Sequence, residues 1–275
     1  MKNPLLLEVN DFDALRVNMA LDELCSLNIQ NGYVFKKYIY SCPEKFFSKG
    51  AFRCFYNSLQ NIDERHSGEL REYLKINAHT LDNAYRHVQE VNAFEWHDQE
   101  VKGENDYHTL ELLDRHIHPA YLRLAEGVFQ PLLRIVAHFG RLAEGKGTDG
   151  LNLFNIVQQL PDDLYRDVKT SYVHLMRNGI AHSGVRYSAN EIRYVDVKGN
   201  ELSLSPSAVV RKFDDFLDVC NGLVFAFSVF SKSRSYSDSS VSETSSLKIC
   251  VQRQGRLIGM SLERFLRKYL RIKSS

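Results

Sequence analysis

The chain has 275 residues, 44% of them hydrophobic, and a formal charge of +1, the composition of an ordinary soluble protein with apolar material for one large domain or two small ones. No window approaches the run of about 20 apolar residues that a membrane span requires, and the best stretch, Leu223 to Phe230, is interrupted by Ser228. Five cysteines (Cys25, Cys42, Cys54, Cys220 and Cys250) are scattered and lack a C-x-x-C pair, so neither a zinc knuckle nor a disulfide framework is indicated.

The opening MKNPLLLEVNDFD places acids directly behind a short apolar patch, unlike a signal peptide, and points to a cytoplasmic protein. Leu15 to Leu27 reads as a helix and Tyr33 to Tyr40 as a strand or short helix, in a stretch dense in aromatics and punctuated by Gly32, Pro43 and Gly50. Lys36, Lys37, Lys45, Lys49 and Arg53 among these rings suit a core edged with solvated cations, or a stacking surface for single-stranded RNA. From Asn61 to Glu100 the spacing of Leu70, Leu74, Ala78, Leu81, Tyr85 and Val88 predicts one helix, looser around Phe94 to Gly103.

Four histidines invite a metal reading and do not sustain it. His79 and His87 lack a carboxylate at ligand spacing, while His116 and His118 face differently on a helix and precede Pro119. Tyr121 to Leu142 is a long apolar helix, with a kink expected at Pro131. The following Gly140 to Thr148 nearly spells a P-loop, but Gly147 stands where Ser or Thr should hold magnesium, and a helix precedes it where a strand is needed. It reads as a flexible connector, and no nucleoside triphosphatase activity is expected.

Leu151 to Leu160 forms a short helix, and Pro161-Asp162-Asp163 opens the next with acids in its first turn, as the helix dipole prefers. Projected at about 100° per residue, Leu164, Tyr165, Val168, Tyr172, Val173, Leu175, Met176 and Ile180 fall on one arc. Asp167, Thr170, His174, Arg177 and Asn178 fall on the other. Arg177 and His182 are too far round an unbroken helix to meet, since residues five apart diverge by about 140°. Gly179 favours a break, so either the helix ends and swings His182 round, or a second copy of the chain completes the site. The same residues also describe a solvated helix face whose terminal cations suit the dipole.

Beyond His182 the period changes. Ile192, Tyr194, Val195 and Val197, the turn Lys198-Gly199-Asn200, and Leu202 with Leu204 read as a small β-hairpin. Ser205 caps a helix with Pro206 at its first position, and Val209, Val210, Phe213, Phe216, Leu217, Cys220, Val224 and Phe227 supply its buried face. Residues 231–246 contain nine serines and read as a linker. Residues 247–275 are basic, with Leu262, Phe265, Leu266 and Tyr269 opposite Arg264, Arg267, Lys268 and Arg271 on an amphipathic helix. Those cations suit a docked polyanion such as RNA, or a helix lying on the body with its charges solvated; no membrane partner is expected.

The run Arg177-Asn178-Gly179-Ile180-Ala181-His182, preceded by an apolar helix and followed by a hairpin and a second apolar helix, resembles the HEPN (higher eukaryotes and prokaryotes nucleotide-binding) superfamily over residues 104–230. Its signature is an arginine, a polar residue and a histidine four to six positions after the arginine, here Arg177, Asn178 and His182. The resemblance implies a mainly α, HEPN-like helical bundle with a hairpin insertion after the motif helix; residues 1–103, which do not resemble the family, read as an α(+β) N-terminal region. It implies metal-independent cleavage of RNA without a cofactor, a homodimer with a composite interface site, and a role as a toxin or in defence against phage, with a regulatory partner or antitoxin possible. His174, one turn before Asn178, is a candidate auxiliary base or substrate contact. The alternative is a non-catalytic helical module that binds a partner protein, a nucleotide or RNA.

Overall fold

The computed structural model describes residues 47–93, 106–188 and 190–237. The elements expected at Leu15 to Leu27 and Tyr33 to Tyr40, and the basic segment 247–275, lie outside the described residues. What is described is mostly helical, with one three-stranded antiparallel sheet. Helices α1 (Lys49–Ile76) and α2 (Ala78–Ala93) come first. A long run over 106–143 follows, made of α3 (Asp106–Leu112), a π turn (Leu113–Ile117), α4 (His118–Leu124), a second π turn (Ala125–Phe129) and α5 (Gln130–Ala143). Short helices α6 (Leu153–Gln159), α7 (Asp162–Ser171) and α8 (His174–Ala181) lead to β1 (Val185–Tyr187), β2 (Ile192–Val195) and β3 (Glu201–Leu204), and α9 (Pro206–Ser237) closes the fold.

The spacing that predicts one helix after Asn61 correctly picks out Leu70, Leu74, Leu81, Tyr85 and Val88 as buried. The helix is nevertheless two, because Asn77 leaves helical geometry (φ −95°, ψ 9°) and its side-chain amide donates to Tyr73 O at 2.8 Å. At the other end Ser48 caps α1, its hydroxyl accepting from the Ala51 N–H at 3.2 Å, while its own N–H donates to Asp218 O of α9. Phe47 and Phe52 pack against Phe225 at 5.2 and 5.5 Å, so these aromatics belong to the core. Helices α1 and α2 thus share one continuous core with α4, α5 and α9. Helix α9 starts as its sequence dictates, with the Ser205 hydroxyl accepting from Ala208 N–H and Pro206 first, and it runs to Ser237, into the stretch expected as a linker.

The long run meets both of its prolines with a wider turn. Proline lacks an N–H, and in an α-helix its ring meets the carbonyl four residues back. For Pro119 and Pro131 those carbonyls belong to Arg115 and Gly127, and each lies inside a π turn. There the bonds skip one residue further, with His118 N–H on Leu113 O and Gln130 N–H on Ala125 O. The wider turn absorbs the proline and the helix continues. Past Ala143 the near-P-loop is a helix-ending turn, with Lys146 N–H on Arg141 O and the Lys146 ammonium 2.6 Å from Glu144.

The amphipathic segment expected to run unbroken through Leu164 to Ile180 is divided. Tyr172 and Val173 are extended (ψ 115° and 98°), and the buried Tyr121 hydroxyl accepts from Val173 N–H at 2.8 Å and donates to its carbonyl at 3.4 Å. Leu164, placed by its spacing on the apolar arc, is 64% exposed, next to Tyr165, which leaves helical geometry inside α7 (φ −111°, ψ 22°). Gly179 does not break α8. It lies within the helix because the sheet crosses there, and a Cβ at this position would stand 2.9 Å from Tyr194 Cβ and 3.2 Å from its Cα. The helix ends two residues later with Ser183 in the left-handed region (φ 56°) and Gly184 N–H on Gly179 O at 2.7 Å, a Schellman closure.

The expected hairpin is present as β2 and β3, with Tyr194 opposite Leu202, and Asp196 closes its turn by accepting from the N–H groups of Lys198 and Asn200. A third strand, β1, pairs Val185 with Tyr194 and Tyr187 with Ile192. Three residues are too few to show a period, which is why it escapes the sequence pattern. Its anchor is a hydrogen-bonded chain: Tyr187 donates to Asp114 at 2.5 Å, so its oxygen accepts from His118 Nδ1–H at 2.9 Å, and His118 Nε2 accepts from Tyr194 at 2.8 Å. Burial of His118 pushes its pKa down to about 4.

Two outcomes follow for stability. Gly179→Ala overpacks the helix against Tyr194 and should cost about 1–3 kcal/mol, whereas Gly140→Ala, which meets nothing within 4 Å in α5, should stabilise by about 0.4–1 kcal/mol. Urea midpoints of the two variants should therefore move in opposite directions. His118 is held neutral when folded, so the unfolded chain takes up the extra proton between pH 6.5 and about 4. Stability present above pH 6.5 should fall by roughly 3 kcal/mol as the pH drops through that window, and His118→Gln should flatten that part of the Tm-against-pH curve.

Candidate functional site

Helix α8 begins at His174 because the Tyr121 hydroxyl holds the preceding residue extended, and its first turn then carries His174, Arg177 and Asn178 toward one side. The Arg177 guanidinium spans two acceptors. Nη1 donates to Asn178 Oδ1 at 2.9 Å and Nη2 to Glu126 Oε1 at 2.5 Å, and Glu126 comes from the second π turn. Nε is buried with no partner among the described residues. The side chain remains 25% exposed.

Arginine only donates, and that fact propagates through the cluster. Asn178 must present its oxygen to Arg177 and therefore its NH2 to His174, whose Nε2 lies 3.0 Å away. His174 Nε2 is then the acceptor, and the ring proton sits on Nδ1, 3.4 Å from the Tyr172 hydroxyl. Burial and the Arg177 charge lower the His174 pKa, against a smaller opposing pull from Asp196. The imidazole is neutral at physiological pH. The Phe154 ring lies beside it, tilted by 49° with centroids 5.0 Å apart, and the β2–β3 turn brings Asp196 and Lys198 within electrostatic reach.

Of the residues the sequence singles out, the structure brings Arg177, Asn178 and His174 together. His182 stands apart. It is exposed at the end of α8, and its N–H still makes the helical bond to Asn178 O at 3.0 Å. Helix α8 ends one residue before it, at Ala181, and His182 itself leaves helical geometry (φ −112°, ψ 20°). Arg264, Arg267, Lys268 and Arg271 lie outside the described residues. Sequence reasoning misses Glu126, although a signal exists: it is the only acid between Tyr121 and Leu142. Tyr172, read as an apolar contact, also lends its hydroxyl to the cluster.

His116 and His118 form no metal centre: His118 has both ring nitrogens on tyrosines, and no group of three His, Cys, Asp or Glu among the described residues has metal-binding geometry. Cys54 and Cys220 are buried, and burial pushes the Cys54 thiol up to about 12. No described helix is long and apolar enough to cross a membrane. Comparison with family models, with curated proteins and with solved structures finds no match to this chain.

Imidazole nitrogen shifts in NMR should show His174 unprotonated at Nε2 and titrating below the ordinary histidine value of about 6.5. Replacing Arg177 with leucine removes a charge that depresses this pKa and should move the titration upward.

Proposed function

We propose that the chain is a metal-independent endoribonuclease of HEPN type. The observation that carries the reading is the Glu126–Arg177–Asn178–His174 chain at the start of α8, which fixes a partly exposed guanidinium, while an exposed histidine, His182, follows the far end of the same short helix. Arg177 would neutralise the extra negative charge of the phosphorane. Asn178, held between Arg177 and His174, would orient the phosphate or the reacting histidine. His174 acts as support in this arrangement, because its basic nitrogen is already committed to Asn178.

The chemistry needs one group to take the 2′-hydroxyl proton as the oxygen attacks phosphorus and another to protonate the leaving 5′-oxygen. His182 cannot do both in one step, and it lies past the end of α8, apart from the Arg177 cluster. A two-fold dimer apposing two α8 ends would supply both histidines and bring one subunit's arginine to the other's histidine. RNA is the substrate on this reading, no cofactor is required, and the HEPN resemblance adds a toxin or phage-defence role under the control of a partner.

A second reading has its own support. Arg177 and His174 are satisfied by Glu126 and Asn178, as in a helix-end network that serves packing in a module binding a partner protein, a nucleotide or RNA.

RNA cleavage in EDTA separates the two. The wild type should leave 2′,3′-cyclic phosphate ends, Arg177→Ala and His182→Ala should each lose at least about 100-fold, and His174→Ala should lose less. Co-refolding the two inactive variants should restore no activity, since each mixed dimer carries one His182 where the step needs two. A dimeric wild type inert toward total RNA would favour the binding module.

A further inference from the structure

Phe154 is the large aromatic that the core does not need. Helix α6 buries Leu153, Ile156 and Val157, flanked by the buried Leu151 and Leu160, and Phe154 lies on its outer side with 47% of its surface exposed. Exposure of this size costs hydrophobic free energy that a polar residue would avoid. The ring is nonetheless held in place: it lies 5.0 Å from the His174 ring, at 49°, and His174 in turn lies 6.2 Å from the buried Tyr172. Asn152 fixes the first turn of α6 by accepting from Asn155 N–H at 2.9 Å.

From Phe154 the contacts run without interruption to the cation. The Phe154 ring meets His174, His174 Nε2 meets Asn178 at 3.0 Å, and Asn178 Oδ1 meets Arg177 at 2.9 Å. A flat apolar face is thus followed, one imidazole and one carboxamide along, by a partly exposed guanidinium. The β2–β3 turn adds Lys198 on the same side, near enough to His174 to act on its charge. His174, its Nε2 accepting from Asn178, is neutral here and tilted by 49° from Phe154, so it braces that ring and does not repel other cations.

We infer that Phe154, braced by His174, forms a stacking platform for an unpaired nucleobase of single-stranded RNA, whose neighbouring phosphate lies at Arg177. The order of ring then cation is that of a single strand, in which each base is tethered to a phosphate. A duplex cannot use the platform, because its bases are already stacked. The platform would select unpaired RNA at the site proposed above, and it rests on that reading only for the cleavage step, since base stacking is independent of chemistry.

The test uses the full chain and a fluorescent single-stranded 2′-O-methyl RNA of roughly ten nucleotides, which lacks the attacking hydroxyl and cannot be cut. Phe154→Leu keeps an apolar side chain of similar bulk but removes the flat face, and should weaken binding about 5- to 100-fold. Phe154→Trp should restore it. Tm and dimer content of both variants should match the wild type. Equal binding by wild type and Phe154→Leu overturns the platform, even if the wild type cleaves ordinary RNA and the ribonuclease reading stands. Phe154-dependent binding without cleavage keeps the platform and removes the ribonuclease. Absence of binding by the wild type overturns the platform outright, and a changed dimer content in Phe154→Leu assigns the ring to a subunit contact instead.

Discussion

The bond between the Tyr121 hydroxyl and the backbone of Val173 sets the geometry of everything near the site. An amphipathic run from Asp162 to Ala181 has the composition to continue as one helix, and a single buried hydroxyl stops it by taking the N–H and carbonyl of one residue. A fully buried tyrosine must satisfy its hydroxyl, and a chain break buried against it must satisfy its backbone, so the two needs cancel. With the break in place, α8 is a short independent helix. Its face can turn toward Glu126 on one side and the sheet on the other.

The site that results is ordered by the one-way chemistry of arginine. Because Arg177 can only donate, it fixes Asn178, and Asn178 fixes the tautomer of His174. Such a network is stiff, since no member can reverse its bond without stranding the next. The ion pair with Glu126 adds little stability of its own at its exposure. Its value is positional: it holds the long guanidinium at one angle.

What the sequence makes legible is whatever depends on neighbours along the chain. The buried faces of α1 and α2, the Ser205–Pro206 start of α9 and the β2–β3 hairpin follow from local periodicity and capping. Contacts between distant residues are not legible. Asn77 splitting a periodic run, Tyr121 breaking another, and the Asp114–Tyr187–His118–Tyr194 chain that fastens β1 are each decided by the fold. The cluster at the site shows the same division. Arg177, Asn178 and His174 share a face by helical spacing and can be read together. Glu126, fifty-one positions earlier, cannot. Gly179 is visible as unusual, yet its reason, the closeness of Tyr194, is spatial.

The two π turns bear on how this helix can change over generations. A π turn is a helix that has taken in one extra residue without displacing its flanks. Remove that residue and the winding returns to normal, but Pro119 or Pro131 then faces the carbonyl it now avoids, at about 3 kcal/mol or more. Each proline is therefore tolerated only with its extra residue. Deleting that residue while keeping the proline would set the ring against a carbonyl, and in the second turn it would also shift Glu126, which that turn places beside Arg177.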